Sequence, residues 1–474
     1  MNLRTLTLSS LTALALSGCA AGPDYAVPPS PPALSGPFLS ADDPAFAPTA
    51  LPDDWWRLYD DPVLDQLVTD ALAANTDLRQ AIARIDRARA ALHGARGDRL
   101  PQTAIGAGAT YGRLPESQRP AGSPREDWSF DTGIDVAYEV DLFGRVGRGI
   151  EAARADLAAS ERDADAVRVI VVAETTRAYA DAASGAERLR VAHEIVELLD
   201  QSLTLTRKRH EAGLEDGLAV ARIATLREQR AAEIPGIEAQ RASALFRLAT
   251  LTGRTPSELP PIAGERSIAL EIEQPLPVGD GTALLARRPD VRAAERRLAA
   301  DTARIGVATA DLYPRITLGG SIGSTGPDIG DIFTGGPLRW LLGSLLNWSF
   351  PNQEPIRARI DAAEADTRAS LAAFDGAVLT ALEETEAALT NYAKALQRRQ
   401  ALQAANREAE RAAAILRAQQ REGTVNSLDR LDAERTLAEA TAQLAEQDAE
   451  VSRAQIDVFR ALGGGWAQSA SQSS

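Results

Sequence analysis

The sequence predicts a mainly α-helical chain that carries part of a membrane β-barrel and is built as a duplicated half-protein. Each half consists of a short helix, a strand pair and a long helical hairpin. Three observations predict this. The first is the duplication. Ser160, Gly213, Leu218 and Gly253 recur 210 residues on as Ser370, Gly423, Leu428 and Gly463, and Leu72, Asp77, Pro101 and Gly106 recur 213 residues on as Leu285, Asp290, Pro314 and Gly319. Solenoid repeats have periods of ~20–50 residues, so this offset marks a doubled half and not a stacked array. The second is strict alternation from Trp128 to Leu142. One parity reads Trp128, Phe130, Thr132, Ile134, Val136, Tyr138, Val140 and Leu142, and the other Ser129, Asp131, Gly133, Asp135, Ala137, Glu139 and Asp141. The third is a pair of proline-free helical stretches, about Arg145 to Arg209 and about Arg357 to Glu422. At 1.5 Å per residue each would extend ~100 Å, far beyond a bilayer.

The N-terminus comes first in the chain. Met1 to Ser17 carries Arg4 and the apolar run Leu11–Leu16, too short for a membrane span. Residues 1–18 are therefore expected to be a signal peptide. The segment ends Leu16-Ser17-Gly18-Cys19, similar to the bacterial lipobox, and Cys19 is the single cysteine of the chain. Cys19 is the expected lipidation site; an ordinary signal with an incidental cysteine is the alternative. One acyl chain anchors only weakly, so stable attachment requires more than one. Residues 19–61 begin with a run rich in proline (Pro23, Pro28, Pro29, Pro31, Pro32 and Pro37) and read as a lipidated tether without a core of its own.

Residues 62–252 form the first structural repeat. Its opening helix, about Pro62 to Arg99, should break at Asn75-Thr76-Asp77, where Asn75 can cap a new helix. Strands follow at Gln102–Leu114 and Trp128–Leu142, then the long helix, a glycine stop at Gly213, and a returning helix over Leu218–Leu251 that Pro235 interrupts. Residues 253–281, rich in proline and glycine, link the copies. Residues 282–465 repeat the pattern, with a helix over Thr282–Leu312, strands at Arg315–Ser324 and Arg339–Phe350, the second long helix to Gly423, and a returning helix over Ser427–Leu462. In that last helix Leu437, Leu444, Val451 and Val458 recur at sevens, which reads as a coiled-coil seam. Residues 466–474 are expected to be a disordered polar tail.

The alternation carries the membrane reading. Soluble strands average ~5–6 residues, whereas Trp128–Leu142 is far longer and has aromatics near both ends of its apolar face, like a barrel strand with its girdles. The opposite face would line the lumen with Asp131, Asp135, Glu139 and Asp141. An amphipathic sheet in a soluble domain is the alternative for that segment taken alone. Four strands cannot close a barrel, and an open edge in hydrocarbon leaves unpaired amides costing several kcal/mol each. Two chains would supply eight strands and three chains twelve. A lumen wide enough for water needs the larger number, which favours a homotrimer.

Composition excludes several functions. With 51 basic and 66 acidic residues the chain lacks the basic face that nucleic-acid phosphates need. Three histidines (His93, His193, His210) and one cysteine provide neither a disulfide framework nor a clustered metal site, and His193-Glu194 lacks the second histidine of a zincin pair. No enzyme activity, cofactor or metal is expected.

Several motifs, in order along the whole chain, resemble one family. They are Gly18-Cys19-Ala20-Ala21-Gly22-Pro23-Asp24-Tyr25, Asp141-Leu142-Phe143-Gly144-Arg145, Arg287-Arg288-Pro289-Asp290-Val291-Arg292-Ala293-Ala294-Glu295, Leu428 to Arg435, and Ala461-Leu462-Gly463-Gly464-Gly465-Trp466. The chain resembles the TolC-like outer-membrane factors of tripartite, RND-type efflux systems, in their lipoprotein (NodT-like) branch. The resemblance implies a trimeric tunnel anchored by lipid, with a twelve-stranded barrel in the outer membrane continued by an α-helical barrel across the periplasm. It also implies a periplasmic adaptor (membrane fusion) protein and an inner-membrane RND-type pump as partners, with drugs, toxic small molecules or metal ions as cargo. Residues 253–281 would belong to an equatorial region. Leu428, Asp429 and Asp432 match the family's periplasmic gate, and Arg435 matches the arginine that helps hold neighbouring helices together. The residues alone also allow Asp429 and Asp432 to be ordinary first-turn acids favoured by the helix dipole. The first copy has Arg222 where the second has Asp432, so only one hairpin is suited to form the gate. Two features stand apart. The segment Pro351-Asn352-Gln353-Glu354-Pro355 replaces the family's glycine-rich turn, and a periplasmic coiled-coil adaptor would share the long helices and lipid but not the four amphipathic strands.

Overall fold

The computed structural model describes residues 20–28, 36–113, 115, 117, 122, 124–330, 334, 338–422, 424–425 and 427–465, without the side chains of residues 421, 427 and 428. The expected signal peptide at 1–18, Cys19, Gly423 and the expected tail at 466–474 lie outside the described residues. In chain order the elements are β1 (Phe46–Ala47), α1 (Pro62–Ala74), α2 (Thr76–Gly97), β2 (Gln102–Arg113), β3 (Glu126–Val140), α3 (Arg145–Glu211), α4 (Gly217–Ala231) and α5 (Ile234–Leu251). They continue with β4 (Leu276–Pro277), α6 (Gly281–Arg287), α7 (Pro289–Ala310), β5 (Arg315–Gly326), β6 (Leu338–Asn347), α8 (Glu354–Arg421) and α9 (Ser427–Ala461). The long helices α3 and α8 have 67 and 68 residues. Among the described residues no helix is long and apolar enough to cross a membrane.

Backbone contacts divide the chain into two units. The first holds the described part of residues 1–28 with Arg84–Glu161 and Ala293–Asp375. Its sheet runs β2-β3-β5-β6, all antiparallel, so that β3 of one copy pairs with β5 of the other across the middle. β2 and β6 are the free edges among the described strands. β3 is the longest strand at 15 residues. It ends at Val140, two residues short of the predicted Leu142, because Asp141 turns to cap α3: its carboxylate accepts from the backbone N–H of Val146 (3.0 Å) and Gly147 (2.7 Å). The atypical proline segment closes without a long excursion, since β6 ends at Asn347 and α8 begins at Glu354.

The second unit holds Pro29–Ala83, Arg162–Arg292 and Gly376–Ser474. Its core overturns one expectation. The tether is not loose over its described length: Phe38, Phe46, Leu51, Trp55 and Tyr59 are buried, and Trp55 stacks on Phe459 with centroids 4.5 Å apart. From residues 253–281, Leu270, Ile272, Leu276 and Val278 enter the same core, and β4 pairs in parallel with β1. Proline-rich composition masked hydrophobic residues spaced to reach one cluster.

Capping fixes where the helices begin. Asp61 caps α1 through the N–H groups of Val63 (2.9 Å) and Leu64 (3.2 Å), while its other oxygen accepts from Tyr179 (3.0 Å) and Arg266 (2.8 Å). Asn75 breaks the first helix as predicted. Its side chain accepts from Asp77 N (2.9 Å) and Leu78 N (3.2 Å) and donates to Leu251 O (3.0 Å). The returning helix of the first copy breaks just before Pro235, which occupies the first turn of α5. The Arg287-Arg288 motif is a clamp on the core. Arg288, 7% exposed, donates to Ala461 O (3.0 Å), to Asp290 (2.6 Å) and to Glu384 (2.7 Å), which secures the C-terminal end of α9.

Candidate functional site

Two regions carry candidate residues, one in each unit. In the sheet, residues opposite one another in antiparallel strands share a face. Ile105, Ile134, Ile322 and Trp340 lie in one register row, and Val136, Gly320 and Leu342 in the next on that face. These large apolar side chains are exposed: Ile105 at 81%, Ile134 at 43%, Ile322 at 52% and Trp340 at 73%. Tyr111 and Trp128 pack together with centroids 5.5 Å apart near one end of the face. A band of this kind, continuous over four strands, is not a surface for water.

The opposite face is polar but less acidic than the sequence alone implied. Asp135 is exposed in a row with Ala104, Ser321 and Leu341. Asp131 pairs with Arg339 at 2.6 Å and accepts from Thr325 at 2.6 Å. Glu139 takes a bidentate pair from Arg145, both contacts 2.7 Å, with Arg315 at 3.9 Å. Asp141, predicted to line the lumen, is committed to the α3 cap. Among the described strand residues of this face, Asp127 at one end and Asp135 in the middle are the acids without a cationic partner. Arg145 was visible in the Asp141-Leu142-Phe143-Gly144-Arg145 motif, but the role of Arg339 had no local signal, because its partner is 208 residues away.

The second region is the start of α9. Asp429 is exposed in its first turn, and the side chain of Leu428 lies outside the described residues. Asp432 and Arg435 do come together, as an exposed pair at 2.8 Å on the same helix. Beneath them lies a network that sequence reasoning missed. Arg430 is 4% exposed and Glu434 7%. Glu434 accepts from Ser202 Oγ at 2.8 Å and pairs with Arg417 at 3.5 Å and Arg430 at 3.6 Å, and Arg430 Nη2 donates to Thr206 Oγ1 at 3.4 Å. Arg430 Nε has no partner among the described residues. The one available signal was spacing, since Arg430/Glu434 and Ser202/Thr206 each sit four apart on one helix face.

The buried side of this half of α9 continues through Ala438 and Ala445, which pack with Val191, Ile195, Leu199 and Leu226. The heptad expectation holds at Val451 and Val458, both buried, whereas Leu437 and Leu444 are only half-buried. Alanine brings α9 closer to its neighbours than leucine would allow. The matching hairpin of the first copy is built differently. Gly213 takes a left-handed φ of 72°, Leu214 N donates to Arg209 O (2.8 Å), Asp216 caps α4, and Arg222 is exposed.

The profile described as outer membrane efflux protein matches residues 67–254 and 282–464. The chain is similar to outer membrane protein OprJ of Pseudomonas aeruginosa, 32% identical over 459 residues that cover 96% of this chain and 95% of that protein. It is 29% identical over 479 residues to the probable efflux pump outer membrane protein TtgC of Pseudomonas putida, covering 99% of this chain and 97% of that one. Among solved structures, the outer-membrane channel OprN matches with a TM-score of 0.88 and 35% identity, over 94% of this chain and 100% of that one. The open state of the Neisseria gonorrhoeae MtrE outer membrane channel matches with a TM-score of 0.81 and 26% identity, over 94% and 98% of the two chains.

Proposed function

Because the chain belongs to the outer membrane efflux protein family, we propose that it is the outer-membrane channel of a tripartite efflux system, in the NodT-like lipoprotein branch. Three copies complete a twelve-stranded barrel and a periplasmic helical tunnel. The tunnel receives drugs, other toxic small molecules or metal ions from an inner-membrane RND-type pump and a periplasmic adaptor. The observation that carries this reading is the exposed apolar band across a four-stranded sheet with two free edges. Hydrocarbon must cover the band and further copies must cover the edges.

Leu428, Asp429, Asp432 and Arg435 would form the periplasmic aperture. In a trimer Asp432 makes a ring of three carboxylates, with Asp429 a second ring one turn away. At ~6 Å separation each pair repels by about 0.7 kcal/mol at a dielectric of 80 and about 2.8 kcal/mol at 20. Such rings attract cations. The closed pore should therefore be cation-selective and blocked by divalent ions. Asp429→Ala with Asp432→Ala should weaken that block, and Arg435→Ala, which frees Asp432 from its partner on the same helix, should loosen the closed state and raise conductance. Single-channel recording in planar bilayers, with and without millimolar divalent salt, is the test. A double variant blocked as strongly as the parent makes the aspartates helix caps.

Cys19 would carry the lipid. Labelling with a radioactive fatty acid should be lost in Cys19→Ser, while barrel insertion persists because acyl chains do not build the pore. Label that survives the substitution rules Cys19 out.

A further inference from the structure

The segment next to Cys19, part of the first unit, is held by specific contacts. Ala21 N donates to Phe143 O at 2.9 Å. Arg148, 6% exposed, donates from Nε to Ala21 O (3.3 Å), from Nη2 to Asp24 (2.6 Å) and from Nη1 to Glu151 (2.9 Å). Gly22, at φ 84°, crosses α7 so closely that a Cβ on it would stand 2.5 Å from Gly306 Cα. A Cβ on Gly306 would in turn meet Ala21 O at 2.8 Å and Arg148 Cγ at 2.8 Å. The Tyr25 hydroxyl donates to Glu295, its ring packs on Ala155, Ala299 and Ala300, and the Arg296 guanidinium lies 5.6 Å from the ring centroid. At the other end, a Cβ on Gly144 would be 3.1 Å from Ala20 Cα. Gly144 stands in the short turn between the end of β3 and the start of α3.

We propose that residues 20–25 are a dock that holds Ala20, the residue that follows the lipidated one, against Gly144 at the junction between the membrane sheet and α3. The proposal rests on Cys19 as the lipidation site. It explains the composition of the motif: Ala20, Ala21 and Gly22 allow backbone to approach backbone, and Asp24 and Tyr25 supply the polar and apolar ends of the clamp. The consequence is kinetic. A tether dilutes the group it carries roughly as the −3/2 power of its free length. Docking reduces the free chain between lipid and sheet to a single residue, so acyl chains entering the bilayer hold the end of β3 at its surface while the copies assemble. Lipid and strand act as one unit, and the dock is what joins them.

The test compares full-length chains by pulse-chase, reading the half-time for heat-resistant oligomer in the outer membrane, with fatty-acid labelling measured in parallel. The first variant inserts six glycine and serine residues between Cys19 and Ala20, which leaves every dock contact intact and frees the lipid. The second is Gly306→Val, which removes the space that Ala21 O occupies. Both should be fully labelled and assemble several-fold more slowly than the parent, at the rate of a chain with Cys19→Ser behind a non-lipoprotein signal. Adding Gly306→Val to that unacylated chain should slow it no further. A labelled insertion variant that assembles at the parental rate overturns the dock while leaving Cys19 lipidation standing. A parent chain that takes no label overturns the lipid reading, and the dock with it.

Discussion

Ile134→Arg is expected to abolish most oligomer assembly, while Asp135→Arg is expected to assemble normally and alter ion selectivity. The two residues are neighbours on β3 and point to opposite faces. Ile134 lies in the exposed row with Ile105, Ile322 and Trp340, and Asp135 in the row with Ala104 and Ser321. An arginine near the bilayer midplane on the lipid face of a barrel costs about 2–4 kcal/mol, whereas lumenal substitutions are tolerated. At ~1.4 kcal/mol per tenfold this lowers the assembly constant by roughly 30- to 700-fold per chain. Asp135 has no cationic partner among the described residues and lies mid-strand on the polar face, so reversing its charge should move the reversal potential away from cation preference. The yield of heat-resistant oligomer and the reversal potential in a salt gradient read the two effects separately. Equal tolerance at both positions would mean that the sheet does not face lipid.

Glu434→Ala is expected to cost about 3–5 kcal/mol, because it leaves the Arg430 guanidinium buried without its counter-charge. Ser202 and Arg417 lose a shared partner in the same step. Replacing both charges, as Arg430→Met with Glu434→Leu, should recover most of that loss, since a buried ion pair exchanged for apolar residues of similar volume is often neutral or stabilising. Amide hydrogen exchange over the first turns of α9 is the appropriate measurement, as the network ties that helix to α3 and α8 at one end. Fast exchange in the single variant and near-parental protection in the double is the expected pattern. A single variant with parental protection, or a double no better than the single, would mean that the pair is screened by water.

The sequence was most legible where a period could be counted. Strand alternation from Trp128, helix stops at Gly213, and the Asn75 break all follow from local rules, and the described elements match them within a few residues. Legibility failed where the decisive partner was remote or the composition misled. Phe38, Trp55, Leu270 and Leu276 are core residues inside proline-rich stretches, where no periodicity reveals them. Arg430 and Glu434 read as surface charges on a polar helix, and only the approach of Ser202, Thr206 and Arg417 explains their burial. Asp141 fits the strand pattern, but the open N–H groups of α3 claim it. Leu437 and Leu444 fit a heptad, yet Ala438 and Ala445 make the contact, because hydrophobic counting undervalues alanine at closely packed helix faces.

The central claim is that one chain supplies four strands of a barrel that only further copies can close. Native mass spectrometry of the complex extracted from outer membranes in mild detergent tests it most directly. The account predicts a species of three chains, twelve strands in all, that withstands detergent. A complex that is monomeric, or one of two chains and therefore eight strands with no room for a water-filled lumen, would contradict it.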